Sequence, residues 1–86
     1  MIITTRDGRQ YDTDRELTAE ERHVVQKLMN WRDLAESEAQ FADKRAQALA
    51  AGWNGSGPVS PGPALAAILG LLEDQLRARL RGQGGG

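Results

Sequence analysis

Glu20 and His23 stand three residues apart, a spacing that puts a carboxylate and an imidazole on one face of a helix. Carboxylate-bridged di-iron bundles hold their metal with that pairing. Two copies of the chain would supply two such pairs, but the site would still need two more inward-facing glutamates. Glu36, Glu38 and Glu73 all lie well along the chain from His23. Glutamates at positions 20 and 21 are also what a helix N-terminus attracts, because its unpaired amides and its dipole favour negative charge. A metal-binding bundle centred on Glu20 and His23 is therefore kept only as an alternative, and no cofactor is expected.

Nucleophilic chemistry has less support still. With one histidine and no cysteine, Cys-His catalysis and thiolate metal sites are excluded. Ser37, Ser56 and Ser60 have only His23 as a conceivable base. Asn54-Gly55-Ser56-Gly57-Pro58 places a proline where the helix after a nucleophile elbow should begin. Asp12-Thr13-Asp14-Arg15-Glu16 starts like a calcium loop, yet Leu17 takes the glycine position and His23 the place of the bidentate glutamate. Asn54-Gly55-Ser56 matches a glycosylation sequon but reads as a tight turn. No glycine-rich phosphate loop followed by lysine occurs. The chain is not expected to be an enzyme.

What remains is recognition chemistry. Tryptophan is enriched at interface hot spots, and the chain has two, Trp31 and Trp53. Trp53 follows Gly52, a helix-capping glycine. There it can fold back on the last helical turn near Ala48, or be presented as an anchor by a flexible glycine-rich loop. The candidate partner-binding residues are Trp53, Trp31, Asn54, Met29, Arg77 and Arg81. Arg77, Arg79 and Arg81 form the densest basic group, placed where cations offset a helix C-terminal dipole. With Lys44 and Arg45 they give a second alternative, a nucleic-acid-binding accessory protein. Against it, 11 basic and 12 acidic side chains leave a net charge of −1, too little field to draw a polyanion.

The elements that must position these residues follow from local pattern. At 86 residues the chain can hold one small domain with a thin core, and without cysteine no disulfide can reinforce it. Residues 1–12 carry β-branched and aromatic residues on either side of Asp7-Gly8, which predicts a β-hairpin with a two-residue type I′ turn. Ile2 or Ile3, with Tyr11, should rest on a helix, since two strands alone are marginal. Thr18 and Glu21 form a capping box, and from there to Ala51 no Gly or Pro intervenes, so residues 19–51 read as one long helix, with a break conceivable near Ser37. Residues 52–63 are a Gly/Pro connector. Pro61 or Pro63 suits the first turn of the next helix and Ser60 its N-cap. Residues 64–81 form the second helix, with Leu65, Leu69, Leu72, Leu76 and Leu80 along one seam and Ile68 and Leu71 beside it. Residues 82–86 are expected to be a disordered glycine-rich tail.

A helix of about 18 residues spans roughly 27 Å, about half of the longer one, so an antiparallel hairpin of the two is incomplete. Val24, Val25, Leu28, Met29 and Trp31 would have only the β-hairpin for cover. At about 1.5–3 kcal/mol each, such losses would rival the stability of a small domain. A homodimer with a four-helix centre, built on Val24, Leu28, Leu65, Ile68, Leu69, Leu72 and Leu76, is the expected remedy. A different protein on the same face is the other. The start of the chain, with Asp7 close behind Met1, does not resemble a signal peptide. The longest apolar run, Ala64 to Leu72, falls far short of the roughly 20 residues of a membrane span. A cytoplasmic, mainly helical, non-enzymatic protein-interaction module is the expectation: an adaptor, regulator or inhibitor of a larger protein or complex, of the kind a phage or mobile element encodes.

Overall fold

The Asp7-Gly8 pair does reverse the chain, but with a three-residue loop. In the structure, a computed structural model that describes residues 1–84, strand β1 (Ile2–Thr4) pairs antiparallel with β2 (Gln10–Asp12), placing Ile3 opposite Tyr11. Gly8 N donates to the Thr5 carbonyl at 3.0 Å and Thr5 N to the Arg9 carbonyl at 2.8 Å, and Gly8 alone takes a positive φ, +84°. That is a turn followed by a left-handed bulge residue, in place of the expected type I′ turn. Asp7 favours it by accepting hydrogen bonds from the Thr5 hydroxyl and, at 3.4 Å, from Arg9 N. Ile3 and Tyr11 pack on the core, while Ile2 faces outward.

Helix α1 (Ala19–Leu34) opens with the capping box intact: Thr18 Oγ1 accepts Glu21 N at 3.1 Å, and Glu21 Oε1 accepts Thr18 N at 3.0 Å. The expected single helix over 19–51 does not form. It divides into α1 and α2 (Glu38–Ala51), with Ala35 in an extended conformation and Ser37 capping α2 through Gln40 N at 3.1 Å. Ser37-Glu38-Ala39-Gln40 is itself a capping sequence, and Gln40 Oε1 returns to accept Glu36 N at 2.7 Å. The chain therefore gains a second set of satisfied amides by stopping and restarting. Arg79, from the far helix, closes the exposed end of α1 by donating to the carbonyls of Arg32, at 2.9 Å, and Ala35.

Helix α3 runs over Pro63–Gly84, so Pro63 takes the predicted first-turn position. Gly62 rather than Ser60 supplies the carbonyl that accepts Ala66 N, at 2.9 Å. Residues 82–84 of the expected tail continue this helix, and 85–86 lie outside the described residues. Because α2 folds back, α3 packs against both α1 and α2. Its Leu65, Ile68, Leu69, Leu72 and Leu76 are all buried there, with Val24, Val25 and Leu28 of α1, Phe41 and Ala48 of α2, and Leu17 and Ala35 from the connecting segments.

This packing removes the reason for the four-helix dimer. Val24, Val25 and Leu28, expected to have only the β-hairpin for cover, are buried within one chain, as is Ile68 of the expected dimer centre, and Met29 and Trp31 lean on the same core. The broken helix supplies the third wall that a partner was expected to bring. Among the described residues no helix is long and apolar enough to cross a membrane.

Candidate binding surface

The first turn of α1 organises the Gly/Pro connector. Glu21 Oε2 accepts Gly62 N at 3.2 Å, and Glu20 Oε1 accepts Trp53 N at 3.2 Å, so two adjacent carboxylates hold the two ends of the segment between α2 and α3. Gly57 N donates to the Ala51 carbonyl at 2.8 Å and Val59 N to the Leu49 carbonyl at 2.6 Å, tying the middle along the end of α2. Gly52 makes the entry with φ 70° and ψ −170°, a combination open almost only to glycine. The connector is thus fastened at both ends and along its length.

Its product is the presentation of Trp53 on a short 3-10 turn, Trp53–Gly55. The indole has an aromatic neighbour in α1. It stacks on the imidazole of His23, with ring centroids 4.1 Å apart and planes inclined by 21°, and keeps 47% of its surface exposed. Asn54 follows in the left-handed region at φ 55°, also exposed. Glu20 and His23, paired in the sequence as metal ligands, are here both committed to Trp53. No group of three or more potential metal-ligating side chains stands together among the described residues.

From His23 the surface continues along α1 through Lys27 and Trp31 at four-residue intervals, which keeps all three on one side of the helix. Lys44, Gln47, Ala48 and Ala51 of α2 form the opposite wall of a groove with a volume of about 290 Å³. Lys44 Nζ lies 4.3 Å from the centre of the Trp31 ring, a cation-π contact. Beyond Trp31, Leu34 is 59% exposed. These are the only two lysines of the chain, and neither is ion-paired among the described residues.

The other predicted site residues are elsewhere. Met29, two residues from Trp31, faces the opposite flank of α1, where it lines a hollow with Met1, Leu17 and Val25. The arginine cluster divides, with Arg77 and Arg81 on one hollow and Arg79 turned away from it. Arg77 bonds Glu38 at 2.7 Å and Asp74 at 3.2 Å, the Glu38 carboxylate holding its guanidinium more firmly protonated than usual. Arg79 is spent on the end of α1, and Arg45 is paired with Glu73. Arg81 shares a hollow with Arg77, Arg6, Leu71 and Asp74. Val24, Leu28, Leu65, Ile68, Leu69, Leu72 and Leu76 are buried in the core of one chain, outside any surface. Of the predicted residues the structure therefore joins Trp53, Asn54 and Trp31 along one flank, with His23, Lys27 and Lys44 added, and keeps Arg77 and Arg81 together at another place. The recurrence of His23, Lys27 and Trp31 every fourth residue was the sequence signal for that grouping. Searches against protein-family models, curated proteins and solved structures each return no match.

Proposed function

We propose that this chain is a non-enzymatic protein-interaction module, an adaptor, regulator or inhibitor of a larger protein, which docks through the flank carrying Trp53, His23, Lys27, Trp31 and Lys44. The observation that carries this reading is the treatment of Trp53. A ring of that size is costly to leave in water, yet it is half exposed while its backbone is fixed by Glu20 and its face is braced by His23. A braced, exposed indole loses little entropy on binding, which is the property of an interface anchor. Trp31 offers a second aromatic surface on the same flank, partly covered by the mobile stem of Lys44. The arginines favour this reading over nucleic-acid binding, since most face a carboxylate of the same chain.

Affinity capture from the native source, with wild type beside Trp53→Ala and Trp31→Ala, tests it. Truncating a hot-spot tryptophan costs about 2 kcal/mol or more, near 30-fold in affinity, so partners recovered by wild type should be depleted with each variant. Recovery unchanged by both substitutions contradicts the assignment.

A further inference from the structure

Charge and spacing along the flank define what it would receive. Lys27 is exposed, Lys44 half-exposed, and no carboxylate lines the groove between them. Elsewhere most arginines are answered by a carboxylate of the same chain, as in Arg6 with Asp74, Arg45 with Glu73 and Arg77 with Glu38. A pair of unanswered cations in a chain of net charge −1 is a local imbalance that an anionic ligand corrects. At the two ends stand the aromatic surfaces. Trp53 rests on His23, and His23 is eight residues from Trp31 on α1, a separation of about 12 Å at 1.5 Å per residue. Two apolar side chains seven residues apart on a helix are separated by about 10.5 Å, with the positions between them on the same side.

Resting on the docking reading above, we propose that the flank binds an acidic amphipathic helix of two to three turns from a partner protein. Its apolar side chains at i and i+7 meet Trp31 and Trp53, and its carboxylates at i+3 and i+4 lie between Lys27 and Lys44. Docking of an amphipathic helix into a groove between two helices is an established mode of peptide recognition. A single-stranded nucleic acid shares the preference for lysine and indole but fits less well. Its phosphates continue past the groove at every nucleotide, whereas the two lysines offer positive charge over one short span only.

The test is selection from a displayed library of random 16-residue peptides on the full chain. A synthetic copy of the best binder is then titrated by fluorescence anisotropy, beside a 12-nucleotide oligothymidine. The expected binders are enriched in Asp and Glu, with apolar residues seven apart. Affinity should fall at least 10-fold with Lys27→Glu and again with Lys44→Glu, change less than twofold with Arg81→Glu, and exceed that of oligothymidine. Lys27 is exposed and makes no ion pair among the described residues, so its reversal leaves folding intact. An empty selection, binders without acidic enrichment, indifference to both lysine reversals, or equal affinity for oligothymidine overturns the inference. If neutral binders lose affinity with Trp53→Ala but not with the lysine reversals, docking at the flank stands and the acidic partner falls. If the lysine reversals matter and neither tryptophan does, the docking reading fails instead.

Discussion

Replacing Glu21 by alanine removes a clamp that serves two elements at once. The side chain is buried, accepts Thr18 N at 3.0 Å through one oxygen and Gly62 N at 3.2 Å through the other, and so joins the start of α1 to the residue that precedes α3. Loss of a capping interaction costs about 1 kcal/mol. Loss of a hydrogen bond from a carboxylate to a half-buried amide costs about 1.5–3 kcal/mol. The sum, about 2.5–4 kcal/mol, is a large share of the roughly 5–15 kcal/mol that holds a small domain together. At about 4–8 °C per kcal/mol for a chain of this size, melting should fall by at least about 10 °C. Glu21→Gln keeps one carbonyl oxygen and can satisfy one of the two amides, so about half the loss should return. Urea unfolding followed by circular dichroism at 222 nm measures both, read as midpoint shifts at unchanged slope. An alanine variant within about 0.5 kcal/mol of wild type, or a glutamine variant as weak as alanine, refutes the two-ended role of Glu21.

Three further outcomes follow from the packing and the electrostatics. Leu28→Ala, at a fully buried core position of α1, should cost about 2–5 kcal/mol by urea unfolding, and wild type should sediment as a single folded chain at micromolar concentration, because its core is closed without a partner. Gly52→Ala should cost at least about 2 kcal/mol and expose Trp53 to quenching by iodide, since φ 70° with ψ −170° excludes a side chain and the new methyl would lie 2.7 Å from Ser56 Oγ and 2.8 Å from Glu20 Oε1. The Asp7 carboxyl is held below its ordinary value of 3.8, first by the Thr5 hydroxyl and then by backbone amides. A depressed folded-state value means that this contribution to stability is complete above pH 3.8 and is lost as the pH falls through the folded value, so an NMR titration should find Asp7 ionising at lower pH in wild type than in Thr5→Val.

Local signals were legible wherever a residue type answers a local need. Thr18 and Glu21 are one capping box in sequence and structure, Gly52 ends α2 at the predicted residue, and Pro63 takes the first turn of α3. Ile3 and Tyr11 rest on helices because an isolated hairpin cannot stand alone. The break between α1 and α2 was written in Ser37 and Gln40, a second capping pair inside a run of good helix formers, where propensity alone favours continuity. Reading residues 19–51 as one helix, with the break near Ser37 only conceivable, leads to a dimer proposed to cover side chains that the three helices bury together. Arg79 shows the limit of reading one helix at a time. Dipole grounds put it at its own helix C-terminus, yet the carbonyls it satisfies are those of Arg32 in α1 and of the cap residue Ala35, more than 40 residues earlier. The grouping of Trp53 with His23, and of Trp31 with Lys44, likewise depends on chain reversals that no window of the sequence contains.

The flank between α1 and α2 is the centre of this account, and hydrogen exchange by mass spectrometry addresses it directly. The full chain is compared alone and saturated with the partner it captures. Slower exchange confined to residues 23–31 and 44–57, with the hairpin over 1–12 and the outer turns of α3 unchanged, is the predicted result. Protection centred on the hairpin or on Arg77 and Arg81, with none at Trp53, contradicts it.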